Sequence, residues 1–139
     1  MITKDIFKKL LYECPVAPPE VGGILGGVDG IIQTYVMDFP EDSSANNRYM
    51  PNIKKLNQKI AEWLDKDIEF YGVFHTHYPY GYALSIEDKQ YIVRIMEAMP
   101  ARIIHLYFPI LIPSDGMAAF KAVRDKGVIR IEADTMKFV

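Results

Sequence analysis

The sequence lacks the features that mark secreted, membrane-spanning and nucleic-acid-binding proteins. Cys14 is its single cysteine, which excludes an intrachain disulfide and favours a reducing compartment. The net charge is -2, and the sequence contains no basic cluster that could bind nucleic acid or an anionic membrane. The longest apolar run, LYFPILIP, is too short to span a bilayer, and the charged N-terminus does not resemble a signal peptide. These absences predict a soluble, cytoplasmic protein.

What the sequence does contain is the composition of an ordinary globular domain. Half of its residues are hydrophobic and 24% are charged. A chain of about this length can bury roughly 68–70% of its unfolded surface, so its core needs no disulfide. We therefore predict a single domain that spans residues 1–139.

Periodicity and turn signals divide the chain into helices and strands. Helices are predicted over residues 3–13, 52–66 and 85–99, and strands over residues 21–28, 31–39, 68–77, 102–112, 117–125 and 128–134. Asp29-Gly30 and Lys126-Gly127 predict hairpin turns, and the polar residues 39–51 predict a loop. This order predicts an α+β or α/β fold in which a mixed β-sheet is flanked by helices, rather than a doubly wound parallel sheet.

Two of these elements carry patterns that predict how they pack. The second helix can be capped by Asn52, and apolar residues at helical spacing predict its buried stripe: Ile53, Leu56, Ile60, Trp63 and Leu64. The first strand contains four glycines in the run VGGILGG. Glycine weakens a strand, so this run predicts that a neighbour approaches its backbone closely.

The stretch HTHYPYGYALSIED, residues 75–88, contains the groups of a metal site. Alternate residues of a strand point to the same face, so His75 and His77 are expected to project together from the end of a strand. Asp88, in the first turn of the following predicted helix, is the natural third ligand. Catalytic zinc typically takes three ligands of these types and keeps a fourth position for water.

The same stretch also has an ordinary structural interpretation. The pattern S-x-x-D before an apolar helix is typical of a helix cap, with Ser85 as the capping residue. A histidine on a strand is usually packed or hydrogen-bonded. The two interpretations are compatible, because a capping Ser85 would fix where the helix begins and therefore where Asp88 points.

A zinc hydrolase also needs a general base that moves protons between water and the leaving amine. Three glutamates are candidates. Glu87 lies in the first turn of the predicted helix and is expected to point elsewhere, and Glu69 begins the histidine strand at its far end. Glu20 precedes the glycine-rich strand, but the sequence alone does not place it at the metal. Its ordinary interpretation is an exposed loop carboxylate.

Other residues have weaker functional interpretations. Tyr78, Tyr80 and Tyr82 follow the histidines and are interpreted either as a wall that binds an extended peptide tail or as ordinary loop packing. His105 has apolar neighbours, so we expect it in the core or on the sheet surface rather than at an ion. Cys14 has no adjacent cationic residue that would support a role as a nucleophile.

Taken together, Glu20 before VGGILGG, then GVFHTH, then Ser85-x-x-Asp88 resemble the JAB1/MPN/Mov34 metalloprotease family, also called JAMM or MPN+, in its compact prokaryotic form. The resemblance extends from about residue 17 to residue 112. It implies a mixed sheet packed between helices, in the cytidine-deaminase-like architecture of JAB/MPN domains. It also implies one Zn²⁺ bound by His75, His77 and Asp88. Glu20 would then be the general acid/base, and Ser85 would donate a hydrogen bond to the oxyanion.

The resemblance further implies a substrate class. Such enzymes hydrolyse amide or isopeptide bonds at the C-terminal tail of a ubiquitin-like or sulfur-carrier protein, and a Gly-Gly tail would fit a narrow groove. Two features depart from the family pattern: Tyr78 follows the second histidine where a proline is usual, and no long insertion is present. The second departure argues against ubiquitin itself as the substrate. Family members without the ligands are scaffolds, so a non-catalytic interaction module is the alternative.

Overall fold

A computed structural model describes residues 1–16, 19–39, 49–78, 81–113 and 115–139. Within these residues the chain forms three helices and seven strands. They follow one another as α1 Lys4–Glu13, β1 Gly22–Val28, β2 Ile31–Asp38, α2 Ile53–Leu64, β3 Glu69–Thr76, α3 Ile86–Ala98, β4 His105–Tyr107, β5 Ile110–Ile112, β6 Gly116–Asp125 and β7 Val128–Asp134. The predicted elements are confirmed, except that residues 102–112 contain two strands, because Pro109 cannot donate to a strand ladder. Most of the predicted loop 39–51 lies outside the described residues.

The strands form one mixed sheet. β1 pairs antiparallel with β2 on one side and with β3 on the other. β3 also pairs in parallel with β4 and β5, which both pair antiparallel with β6, and β6 pairs antiparallel with β7. The prediction of a mixed sheet is therefore confirmed, and β3, the histidine strand, has neighbours on both sides.

Helices cover both faces of this sheet. Adjacent residues of a strand point to opposite faces. Ile24 of β1 and Val73 of β3 therefore pack with α2 and α3 in one apolar cluster, whereas Leu25 and Phe74 pack with Leu10 of α1 in another. This alternation produces the predicted sandwich of a sheet between helices. No helix in the described part of the chain is long and apolar enough to cross a membrane.

The buried stripe predicted for α2 is wrong at its two ends. Leu56 and Trp63 are buried, but Ile53 is 54% exposed and Leu64 is 67% exposed. Ile53 lines an open pocket and does not fill the core. Leu64 is the last residue of the helix, and the chain turns immediately after it. Helical spacing predicts a face, but it does not predict how far the core extends along that face.

The close approach predicted for the glycine-rich strand β1 is confirmed. A Cβ atom on Gly26 would lie 2.6 Å from the ring of Trp63, and one on Gly22 would overlap the ring of Tyr49. Gly22 pairs directly with His75 of β3. The small residues of β1 therefore allow Tyr49 to pack close to the end of the histidine strand.

Candidate metal centre

The two histidines lie at the C-terminal end of β3. His75 is fully buried, and its backbone N–H donates to the Pro109 carbonyl at 3.2 Å. His77 is partly buried just beyond the strand, and its N–H donates to the Leu111 carbonyl at 3.0 Å. Pairing with β5 thus continues the extended backbone past the last strand residue. The two imidazoles consequently project from the same face, as the sequence predicts.

Asp88 is aimed at the histidines by the N-terminus of α3. Ser85 is the N-cap, and its Oγ accepts a hydrogen bond from the Asp88 N–H at 3.0 Å. In return the Ser85 N–H donates to Asp88 Oδ2 at 2.9 Å, which completes a capping box. The predicted cap is therefore confirmed, and it turns the Asp88 carboxylate back towards β3.

Three potential ligand atoms meet where β3 ends and α3 begins. His75 Nε2 lies 2.9 Å from His77 Nε2 and 3.2 Å from Asp88 Oδ2, and His77 Nε2 lies 3.0 Å from the same oxygen. The structure therefore brings together the three residues that the sequence nominates as ligands. We call them the His-His-Asp cluster; its atoms are close enough to hold one metal ion.

The tautomer of His77 indicates that the atoms of the cluster can bind a cation. His77 Nδ1 lies 2.8 Å from the Gly81 carbonyl oxygen, which can only accept, so we assign the ring hydrogen to Nδ1. In neutral His77 the lone pair of Nε2 then faces the carboxylate oxygen of Asp88. Two acceptors at this distance repel each other unless a proton or a metal ion lies between them. Two imidazole nitrogens and a carboxylate oxygen are a ligand set of catalytic zinc.

The pKa values of the cluster also indicate a centre that favours positive charge. Burial would raise the pKa of Asp88, but the two histidines, which donate to its carboxylate when they are protonated, and the Ser85 amide outweigh burial and hold it well below its usual range. Burial would lower the pKa of His77, but the hydrogen bonds to Asp88 and the Gly81 carbonyl raise it overall. The carboxylate therefore remains ionised beside the imidazoles.

Tyr91 orients the buried histidine from the opposite side. It lies one turn after Asp88 in α3, and its hydroxyl is 2.9 Å from His75 Nδ1. Burial, followed by the charges of Asp88 and Glu20, raises the pKa of Tyr91 well above its usual value, so the phenol stays neutral. Outer partners of this kind fix the ring orientation of a metal-binding histidine. Tyr91 was not predicted from the sequence as a site residue. Its i+3 spacing from Asp88, which places both residues on the same face of α3, could have indicated it.

Of the three candidate glutamates, Glu20 lies on the side of the cluster, because the next residue, Val21, accepts a hydrogen bond from the Thr76 N–H, between the two histidines, at 2.9 Å. Glu20 is partly buried, and its Oε1 accepts a hydrogen bond from the Tyr49 backbone N–H at 3.0 Å. Burial has the largest effect on the pKa values of His77 and Tyr91. The charges of Asp88 and Glu20 both act to raise these two pKa values. Glu20 is thus near the cluster without belonging to it.

The other two glutamates lie elsewhere. Glu69 pairs with Gly27 at the opposite end of β3 and accepts a hydrogen bond from Tyr71, as its position in the strand predicts. Glu87 is exposed in the first turn of α3. Of the three, Glu20 is therefore the one that lies near the cluster.

The tyrosines of the loop brace it against the rest of the protein. The hydroxyl of Tyr78 donates to the carbonyl of Pro15, and that of Tyr82 donates to Asp115 Oδ2 at 2.7 Å. Tyr80 lies outside the described residues. The loop is thereby attached to the segment after α1 and to the turn before β6. Binding of substrate by these tyrosines stays a prediction.

Cys14 is not suited to nucleophilic chemistry. It is 3% exposed, and burial, followed by the charge of Glu13, raises the pKa of its thiol to about 12. The thiolate is the reactive form, and an exposed cysteine titrates near pH 8.5. At pH 8 the folded protein should therefore react with an aromatic disulfide reagent on the order of 10³-fold more slowly than the unfolded chain. Absorbance with and without denaturant measures this ratio, and rapid labelling of the native protein would contradict it.

An apolar pocket of about 310 Å³ opens beside Tyr91 and was not anticipated from the sequence. Its walls include Ile53 and Ile60 of α2, Ile95 of α3 and Met99, the C-cap of α3. The predicted stripe of α2 places Ile53 and Ile60 inward. Ile53 remains exposed at the pocket, whereas the other three are partly buried and also pack against the core cluster.

Solved structures with the same fold are known. The protein DSY2949 from Desulfitobacterium hafniense is similar to this chain with a TM-score of 0.64 and 17% identity, over 99% of this chain and 90% of that one. AF2198, a JAB1/MPN domain protein from Archaeoglobus fulgidus, is similar with a TM-score of 0.58 and 15% identity, over 99% and 97% of the two chains. No family model and no curated protein sequence matches the chain. At these identities the likeness establishes the fold, which is that of a JAB1/MPN domain.

Proposed function

We propose that this protein is a zinc-dependent metallopeptidase or isopeptidase. Its substrate would be an amide or isopeptide bond at the C-terminal tail of a ubiquitin-like or sulfur-carrier protein. The observation that supports this proposal most strongly is the convergence of His75, His77 and Asp88, whose facing atoms lie 2.9 to 3.2 Å apart. The JAB1/MPN fold supports it as well, since AF2198 shares that fold over nearly its whole length.

In the proposed reaction, the metal and two side chains have separate roles. A zinc ion bound by the cluster would supply Lewis acidity, which polarises the scissile carbonyl and lowers the pKa of water. Glu20 takes a proton from the attacking water and returns it to the amine nitrogen as the C–N bond breaks. The Oγ of Ser85 accepts a hydrogen bond at the cap, so its hydroxyl hydrogen can be donated to the carbonyl oxygen as negative charge develops there.

The first experiment measures the metal content of untagged protein purified without chelator, together with His77→Ala. The wild-type protein should contain about one zinc per chain, the stoichiometry of a site with three protein ligands, and the variant should contain almost none. His105→Ala is the matched control, because His105 is exposed on β4 beside Tyr107 and far along the sheet from the cluster. It should retain the zinc of the wild type.

A cleavage assay then tests the substrate class. Reporter proteins fused to the Gly-Gly tails of ubiquitin-like and sulfur-carrier proteins should be released by zinc-loaded wild type and not by His77→Ala. If neither protein binds zinc even when it is supplied, the proposal is wrong and a non-catalytic interaction module becomes the better description. If zinc binds but none of the fusions is cleaved, the proposed substrate class is wrong.

A further inference from the structure

Glu20 is held in place by Tyr49, which lies outside the helices and strands. The backbone N–H of Tyr49 donates to Glu20 Oε1 at 3.0 Å. Although it is a loop residue, Tyr49 is 2% exposed, and its ring occupies the space that a side chain on Gly22 would fill. Gly22 in turn pairs with His75. Tyr49 therefore contacts both the glutamate and the strand beside the histidines.

The phenol end of Tyr49 is fixed by a buried carboxylate. Its hydroxyl donates to Asp38 Oδ2 at 2.8 Å, and the Asn52 N–H donates to the same oxygen at 3.0 Å. Lys55 Nζ lies 3.7 Å from the other oxygen of Asp38. Asp38 ends β2 and is 2% exposed, whereas Asn52 caps α2. A buried carboxylate with partners on several sides is a rigid anchor, because moving it would leave a charge unpaired.

We infer that Asp38 and Tyr49 form a clamp that positions Glu20 for proton transfer. The inference rests on the proposed function, in which Glu20 is the general acid/base. The Tyr49 amide binds one carboxylate oxygen of Glu20 and leaves the other to accept a proton. Proton transfer needs this oxygen within hydrogen-bond reach of its partner, so the residues that set its position determine the rate. Asp38 and Tyr49 are positioning residues, since they act through Glu20.

The first test needs no substrate. In zinc-loaded wild type, NMR should show the amide hydrogen of residue 49 protected from exchange with solvent, because it is buried and hydrogen-bonded. Tyr49→Phe keeps the ring but frees it from Asp38, and protection of this amide should fall by tenfold or more. Tyr71→Phe removes a similar hydroxyl–carboxylate bond, to Glu69 at the far end of β3, and should leave the amide protected. Unchanged protection in Tyr49→Phe would overturn the clamp.

The second test measures hydrolysis of a fluorogenic Gly-Gly amide well below the unfolding temperature. Tyr49→Phe should lower kcat roughly 10- to 100-fold, the effect of misplacing a reacting group by about 1 Å, with KM and zinc content unchanged. Asp38→Ala should act similarly, whereas Asp38→Asn keeps an acceptor for the hydroxyl and should turn over nearly as fast as wild type. Normal kcat in either Tyr49→Phe or Asp38→Ala would contradict the inference.

Combining variants separates positioning from simple loss of stability. In a Glu20→Ala background, Tyr49→Phe should cause no further loss of the residual rate, because the group that it positions is gone. An additive loss of rate would show that Tyr49 affects turnover independently of Glu20. If Glu20→Ala alone retains normal turnover, the proposed function of Glu20 fails. If Glu20→Ala is inactive while Tyr49→Phe is fully active, the clamp alone fails.

Discussion

Replacing Glu20 with alanine is expected to lower turnover roughly 10²- to 10⁴-fold, the usual contribution of a positioned general acid/base, while zinc remains bound. Glu20 lies beside the His-His-Asp cluster without belonging to it, so its loss should not remove a metal ligand. Both measurements are made on the same preparation: zinc by elemental analysis, and hydrolysis of the Gly-Gly amide. Loss of turnover with unchanged zinc content would identify Glu20 as a proton carrier, whereas loss of both would identify it as a ligand.

Glu20→Gln refines this experiment. Glutamine keeps the size of the side chain and an oxygen that can accept from the Tyr49 amide, but it cannot carry the proton. It should be as inactive as the alanine variant, which would exclude a purely structural role for the contact with Tyr49. Glu69→Ala, which removes a glutamate at the other end of β3, should retain normal turnover. Near-normal turnover in Glu20→Ala would show that the base has been assigned incorrectly.

Asp88→Ala should lose both metal and helix stability, because one carboxylate serves two structures. Its Oδ2 faces both imidazoles and also accepts the hydrogen bond that caps α3. Zinc affinity should fall by more than the 10- to 100-fold typical for loss of an outer-shell partner, since a ligand itself is removed. Loss of the cap should cost about 1 kcal/mol of unfolding free energy. Zinc titration and thermal unfolding of the metal-free protein measure the two effects separately.

Ser85→Ala is the matched control for this dual role. It breaks the other hydrogen bond of the same capping box, between Ser85 Oγ and the Asp88 N–H, but it leaves the three ligands in place. It should therefore destabilise α3 to a similar extent and keep its zinc. If Asp88→Ala binds zinc as tightly as Ser85→Ala does, the three-ligand description of the centre cannot be right.

The sequence was most informative where a short motif fixes local geometry. Strand alternation places His75 and His77 on one face, and the capping box fixes the direction of Asp88. Both depend on neighbouring residues alone, so the histidine strand, the cap and the grouping of these three residues could be predicted. The mixed sheet followed from the order of hairpins and helices in the same way.

Contacts between distant segments could not be predicted from these patterns. The family resemblance implied a role for Glu20, but the residue patterns alone did not place it at the metal, because the group that holds it, the amide of Tyr49, lies 29 residues away. Tyr91 was likewise missed, since its contact with His75 depends on the position of α3 along β3, which sequence patterns do not encode. The exposure of Ile53 depends on how far apart α2 and α3 lie, a distance that helical periodicity does not encode.

The glycines of β1 also restrict how this sequence can drift during evolution. At Gly22 and Gly23 an added Cβ would collide with carbonyl oxygens of the neighbouring strands, which no substitution elsewhere can remove. At Gly26 the obstacle is mainly the ring of Trp63, a side chain that can itself be exchanged. We therefore expect relatives to keep glycine at the first two positions. At the third, a larger residue should accompany a smaller partner in α2, so Gly26 and Trp63 should vary as a pair.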